Sequence, residues 1–281
     1  MTEEASLVQE HQASPPRRDE PGRRGGDEVA ASVTDVTPLI INLGCGAKTS
    51  DRCINVDWSI YILLYQNPWL LPVMQPLIGH DRAERIRAMS GKAMFHDLTK
   101  GIPFPDNSAD AVYHSHLMEH IDRDHVAGFQ KEIFRVLKPG GIQRVCVPDL
   151  ELLIKDYNAS LAGDDLSREG SLRHDGSVAA MFEQSVRRAP AGARGRSALR
   201  RRMERWLLGD ARARGETHQW MWDRVNTRAV LMDAGFVNFR LCAWNKGQIE
   251  GWEQMGLERA GDGSEYKAGS LYVECQKPMA S

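Results

Sequence analysis

Apolar residues in this chain gather in short runs, several closed by a glycine or an acid, and alternate with segments of helical period. Leu39 to Leu43 reads as a buried strand that runs into Gly44 and Gly46, and Cys53 to Val56 as a second strand closed by Asp57. The two glycines let the backbone turn tightly and approach a ligand with no Cβ in the way. Further strands are expected over 93–98, ending near Asp97, over 109–113 and over 142–147. Between the last two, Phe129, Ile133, Phe134 and Leu137 share one face of a helix over 125–137, which Lys138-Pro139-Gly140-Gly141 should stop. A late helix over 226–234 leads through Gly235-Phe236 to strands over 238–244 and 270–276. Strands alternating with helices argue for an α/β fold with a doubly wound parallel sheet. The two final strands argue for an antiparallel hairpin added to it.

Two stretches break this rhythm. Ile60 to Gly79 is the most apolar part of the chain, but Pro68, Pro72 and Pro76 interrupt it and exclude a straight spanning helix. A lid, a core excursion or a lipid-touching surface would each fit. Lid or core is preferred, because no polybasic flank supports an anchor. A short charged helix over 80–89 completes a lid-like insertion over 60–90. The second stretch, 150–217, reads as a helical insertion. It opens with a helix from Leu150 to Tyr157 and carries an arginine-rich block over 187–205, read as a solvated face rather than an anion grip. Residues 1–37 mix Pro, Gly and both charges without an apolar period and are expected to be a disordered tail, which leaves 38–281 as the folded domain.

Composition narrows the partners. A net charge of -2 leaves no electrostatic footprint for nucleic acid, so no such partner is expected. The five cysteines, Cys45, Cys53, Cys146, Cys242 and Cys275, form no CxxC pair, and no apolar signal region opens the chain. Reduced thiols and a cytoplasmic location are the expectation.

Four motifs then follow one another: Leu43-Gly44-Cys45-Gly46, Phe104-Pro105-Asp106-Asn107-Ser108-Ala109-Asp110, His116-Leu117-Met118-Glu119-His120 and Leu137-Lys138-Pro139-Gly140-Gly141. In this order and spacing the chain resembles a class I S-adenosylmethionine-dependent methyltransferase, strongly over about 39–150 and by topology over 218–276. The resemblance implies a Rossmann-like, mostly parallel seven-stranded sheet and S-adenosyl-L-methionine as cofactor. It also implies that Gly44 and Gly46 lie beside the amino-acid part of the cofactor, that Asp57 takes the ribose hydroxyls, and that Asp97 with the backbone of Leu98 meets the adenine edge. Ser115 and His116 would border the methionine moiety and the reacting methyl, and Leu43, Cys45 and Trp58 complete the expected cofactor-binding set. Asp57 follows Gly44 by only 13 positions, against about 20 in the dinucleotide pattern, so a very short or irregular first helix is expected.

A nicotinamide enzyme would need a third glycine where Thr49 stands. The string His116-Leu117-Met118-Glu119-His120 also matches H-x-x-E-H, which on a helix would put both histidines on one face as a zinc site requires. No third ligand is evident, so no metal is expected, and His120 is read as packing beneath the sheet. His116 is the first candidate base and His218 the second. The segment from His218 to Asp223, with Tyr157 and the stretch over 60–79, would complete an acceptor pocket, although Trp220 and Trp222 fit core packing equally well. Tyr113 is read as sheet core. The expected activity is methyl transfer to oxygen or nitrogen of a small molecule, a natural product or a glycan or lipid intermediate. The alternatives are a cyclase that consumes the same cofactor and releases methylthioadenosine, or a non-catalytic cofactor-binding protein.

Overall fold

A computed structural model describes residues 38–162, 167–184 and 218–280. The tail expected over 1–37 and the arginine block over 187–205 lie outside the described residues. The strands are β1 (Ile40–Leu43), β2 (Ile54–Asp57), β3 (Lys92–Phe95), β4 (Ala109–Ser115), β5 (Leu137–Pro148), β6 (Val237–Leu241) and β7 (Ser270–Gln276). Among the described residues they form one seven-stranded sheet in the order β3-β2-β1-β4-β5-β7-β6. The first five pair in parallel, whereas β7 runs antiparallel to both β5 and β6. The two late strands are therefore an antiparallel pair as expected, with the last one inserted between its predecessor and the parallel set. Ile41, Leu43, Val56, Val112, Val145 and Val147 are fully buried. Parallel strands covered on both faces read as near-continuous apolar runs, which is why these were visible.

No helix separates β1 from β2: residues 44–53 are turns and bends. Three helices follow β2 instead, α1 (Ile60–Gln66), α2 (Leu71–Ile78) and α3 (His80–Arg87). The prolines explain the breaks, since Pro68 opens a short 3-10 turn, Pro72 sits in the first turn of α2, and only Pro76 lies inside a helix. Ile62, Leu64, Leu71, Ala83, Ile86 and Met89 bury a cluster of their own beneath this segment, with Cys45 in it. Trp69, Val73 and Leu77, spaced at i, i+4 and i+8, stay exposed on its outer side. The stretch is thus core on one face and bare on the other. Among the described residues no helix is long and apolar enough to cross a membrane.

The helix before the glycine motif, α4 (Arg123–Val136), ends one residue before β5 begins at Leu137. Lys138 to Gly141 do not precede the strand but bulge from it: Ala109 pairs with Leu137, then Ala111 with Ile142. Leu137 is fully buried and holds the first pair, Pro139 has no N–H for the ladder, and Gly140 adopts φ +80. Beyond β5, α5 (Leu150–Ala162) and α6 (Arg168–Gln184) pack together, with the Tyr157 and His174 rings 5.5 Å apart. The late helix α7 (Arg224–Asp233) begins earlier than its apolar pattern because Asp223 caps it. Its carboxylate accepts from the N–H of Val225 and Asn226, while the Asn226 side chain accepts from the N–H of Asp223.

Several polar side chains are sealed inside the sheet layers, Arg144, Glu274 and His114 among them. Arg144 on β5 faces its register partner Glu274 on β7 at 2.9 Å, and both are buried. The guanidinium also donates to the carbonyls of Ala243, Trp244 and Lys246 and lies 4.1 Å from the Trp252 ring centre. His114 on β4 is fully buried edge-on to Phe129, with Nε2 3.3 Å from Gln143 Nε2. Burial pushes the His114 imidazole down to about 4, against the opposing attraction of Glu119. The unfolded chain therefore binds a proton between about pH 6.5 and 4 that the folded chain refuses, so stability falls as pH drops through that window. The loss at pH 4 relative to pH 7 from this group should be about 3 kcal/mol, from the 1.36 kcal/mol carried by each pKa unit. Urea unfolding at a series of pH values should show it, and His114→Gln should flatten the curve above pH 5.

Candidate active site

At the C-terminal ends of β1 and β4 the chain reverses its direction of winding. From β1 it proceeds outward through β2 to β3, and from β4 outward through β5, so the β1–β4 boundary is the switch point at which open α/β sheets bind ligands. Register places Leu43 opposite His114, so the turn at Gly44 and the residues after Ser115 meet across this boundary. Gly44 (φ +64) and Gly46 (φ +54) both use the left-handed region that favours glycine. A Cβ on Gly44 would lie 2.8 Å from Leu117 Cδ1, whereas one on Gly46 would meet nothing within 4 Å. The loop is packed at its first glycine and bare at its second, leaving a cradle for a ligand.

Asp57, at the end of β2, holds that loop. Its Oδ2 accepts from the N–H of Gly46 at 2.7 Å and its Oδ1 from the N–H of Ser59 at 2.7 Å. A carboxylate offers about four acceptor positions, so two remain for hydroxyls of a bound ribose. The residues present therefore fit a nucleoside. Trp58 is exposed beside it. Asp97 caps the 3-10 turn Leu98–Lys100, its Oδ1 accepting from the N–H and hydroxyl of Thr99. Partial burial pushes this carboxyl up, but the Thr99 hydrogen bonds and nearby Lys100 outweigh it and hold the group below its ordinary value. Oδ2, 3.6 Å from Lys100 Nζ, is left for a further donor. Leu43 and Cys45 point elsewhere. Leu43 is fully buried in the main core, and the Cys45 thiol sits in the cluster under α1–α3, where burial pushes its pKa far up. Only their backbones face the loop.

On the β4 side His116 follows Ser115 and takes φ +49, rare for a residue with a Cβ. Its Nε2 lies 2.9 Å from Ser270 Oγ and its Nδ1 3.1 Å from Glu119 Oε1. Ser270 opens β7 and pairs with Pro148 at the end of β5, so it enters the site from 154 positions away with no local signal. Glu119 was visible in the H-x-x-E-H string, but the structure gives it another setting. Met118–His120 is a 3-10 turn, not an α-helix, so His116 and His120 do not share a helix face. Glu119 is buried; burial pushes its carboxyl up, yet the adjacent His116 imidazole and the electrostatic attraction of the His116 and His120 rings hold it down at about 2. From the described residues neither oxygen accepts a well-directed hydrogen bond.

His218 is buried rather than turned to open space. Its Nδ1 is 2.9 Å from the Gln184 carbonyl, and its ring stands edge-on to His120 at 4.7 Å. Trp222 is fully buried core, while Trp220 is exposed; both lie near the Arg123 guanidinium. Tyr113 is sheet core, bonded to Glu258. The structure thus brings Gly44, Gly46, Asp57, Ser115 and His116 to one boundary, extends it outward to Asp97, and places His218 behind His116, beside Glu119 and His120.

Residues 79–145 match the family described as a methyltransferase domain. No curated protein matches the chain. Among solved structures, a methyltransferase from Methanosarcina mazei aligns at 15% identity over 86% of this chain and 93% of that one, with a TM-score of 0.43. One from Mesorhizobium loti aligns at 16% identity over 86% and 91%, with a TM-score of 0.38. A chain of the complex between the Haloferax volcanii Trm112 methyltransferase activator and its methyltransferase aligns at 15% identity over 87% and 84%, with a TM-score of 0.41.

Proposed function

We propose that the chain is a class I S-adenosylmethionine-dependent methyltransferase, a reading supported by its match to a methyltransferase-domain family over residues 79–145, and that it methylates an oxygen or nitrogen of a small-molecule acceptor. The observation that carries this reading is the pair His116–Ser270, with Nε2 and Oγ 2.9 Å apart at the switch point beside Gly44. When bound, S-adenosylmethionine supplies an electrophilic methyl on sulfur. Gly44 and Gly46 would border its amino-acid part, the free acceptor positions of Asp57 its ribose, and Asp97 Oδ2 with the Leu98 backbone its adenine. The remaining work is orientation and, for a hydroxyl or ammonium acceptor, removal of a proton.

Both ring nitrogens of His116 are engaged, so it reaches an acceptor through Ser270. The acceptor proton passes to Ser270 Oγ as the hydroxyl's own proton passes to His116 Nε2. The Glu119 carboxylate, 3.1 Å from Nδ1, stabilises the imidazolium that forms. The Ser270 hydroxyl also reaches the Lys267 carbonyl at 2.7 Å and turns from that bond to enter the relay. His218, sealed away, takes no part in this step.

Purified protein incubated with the cofactor and a panel of small hydroxyl and amine compounds should give S-adenosylhomocysteine and one methylated product by mass spectrometry. Methylthioadenosine formed without any acceptor would replace this reading with the cyclase. Cofactor binding with no turnover across the panel would leave a binding protein. His116→Gln should lower kcat about 100-fold, within the range of a general base, with the cofactor Kd nearly unchanged. Ser270→Ala should reproduce most of that loss. Equal damage to binding and turnover would make His116 a structural residue.

A further inference from the structure

We propose that Glu119, His120 and His218 form a site for a divalent cation of the zinc class. The inference does not rest on methyl transfer, because metal binding is read without cofactor or acceptor. One ligand atom from each of the three side chains lies within 4.8 Å of the other two. Tetrahedral zinc with N and O ligands holds its donors about 3.3 Å apart, so the three side chains close in by up to about 1.5 Å when an ion binds.

The backbone already fixes two sides of it. Glu119 and His120 sit in the 3-10 turn directly after β4, and the Glu119 carbonyl accepts from the N–H of Gln219 at 2.6 Å, next to His218. A few residues on, the N–H of Leu150 donates to the Trp222 carbonyl at 3.0 Å. Ligands remote in sequence are thus tied together before any ion arrives.

Three features of the side chains point to a cation. The partner of His218 Nδ1 is the Gln184 carbonyl, which can only accept. Nδ1 therefore carries the proton, and the Nε2 lone pair is left to bind, the arrangement usual for a histidine ligand with its second nitrogen on a carbonyl. The Glu119 carboxylate is buried, yet its Oε2 has no hydrogen-bond partner among the described residues. Its neighbours are histidines: among the described ion pairs no lysine or arginine meets it. A buried carboxylate in that position calls for a counter-charge, and a divalent ion bound through Oε2 provides one while Oε1 keeps His116. Two imidazole nitrogens and one carboxylate oxygen suit zinc-class ions, whereas magnesium and calcium prefer all-oxygen sets. Three protein ligands leave a fourth position open, and the bound ion would clamp the 218–222 segment to the end of β4.

The test uses the full chain, stripped with a chelator and titrated with Co2+ and then Zn2+. One equivalent of Co2+ should bind with a visible absorption band, and Zn2+ should displace it. His218→Asn and His120→Asn should each weaken Co2+ binding at least tenfold, while His125→Asn on the exposed face of α4 should leave it unchanged. Wild type that takes up no stoichiometric Co2+ at micromolar concentration overturns the proposal, as does a band indifferent to His218→Asn. Should either variant fail to fold, wild type loaded with Cu2+ and treated with ascorbate maps the site by peptide mass spectrometry. Oxidation at His120 or His218 supports it; oxidation confined to exposed histidines overturns it.

Discussion

Replacing Arg144 with methionine should lower the unfolding free energy by about 3–5 kcal/mol, the cost of removing one partner of a buried ion pair. Methionine retains much of the side-chain volume, so the loss is not mainly a cavity. It arises because Glu274 stays behind, almost fully buried, with its facing charge gone. Its other contacts are weaker substitutes: the N–H of Gln248 at 2.8 Å and Arg240 Nε at 3.6 Å. The carbonyls of Ala243, Trp244 and Lys246 lose their donors in the same step. No larger group can relieve the site from the loop side, since a Cβ on Gly247 would come within 2.1 Å of Glu274 Oε1. Denaturant unfolding measures the effect. The double variant Arg144→Met, Glu274→Leu should recover part of the loss, because it removes the stranded charge together with its partner. A single-variant loss below about 1 kcal/mol, the range of exposed pairs, would mean that water reaches the pair.

Asp57→Ala should weaken binding of S-adenosylhomocysteine at least tenfold, about 1.4 kcal/mol or more. Two effects add. The ribose loses a charged acceptor, and the N–H groups of Gly46 and Ser59 lose the carboxylate that orders the loop before the ligand arrives. Asp57→Asn separates them, since its single carbonyl oxygen can keep one tether but offers fewer positions to hydroxyls. It should fall between alanine and wild type. Titration calorimetry reads all three, and unchanged affinity in the alanine variant would remove Asp57 from the ligand's contacts.

What sequence reasoning could reach follows from how locally each feature is encoded. Strands β1, β2 and β4 are written as apolar runs and appear where expected; on α4 the buried face is Val126, Gln130, Ile133 and Val136, with Phe129 and Phe134 half-buried beside it and Leu137 taken into β5. The compressed interval between Gly44 and Asp57 signalled a very short or irregular first helix, and residues 44–53 contain none. The glycine motif misled about the start of β5, because Leu137 is pulled into the ladder by burial while Lys138 to Gly141 loop out, a tertiary effect no local propensity records. The helix that an H-x-x-E-H zinc motif would require over His116 to His120 is absent: His116 takes φ +49 and Met118–His120 is a 3-10 turn. Ser270 and His218 were beyond reach as partners of His116 and Glu119, since only the antiparallel pairing of β7 and the backbone bonds at Glu119 bring them there. Cys45 and Leu43 show the converse. Their neighbourhood was legible, but the direction of a side chain at a turn depends on what packs behind it.

The position of β7 inside the sheet has a consequence for the order in which the molecule is made. During synthesis β1 to β5 emerge first and can pair in parallel, leaving β5 with a bare edge. β6 emerges later but has no hydrogen-bonded neighbour of its own until Ser270 to Gln276 arrive, because it pairs with β7 alone. The same strand delivers Ser270 to His116 and Glu274 to Arg144. The segment bearing Gly44, Gly46 and Asp57 can therefore form before β7 brings Ser270 to His116, and the buried Arg144–Glu274 pair closes only when that last strand docks.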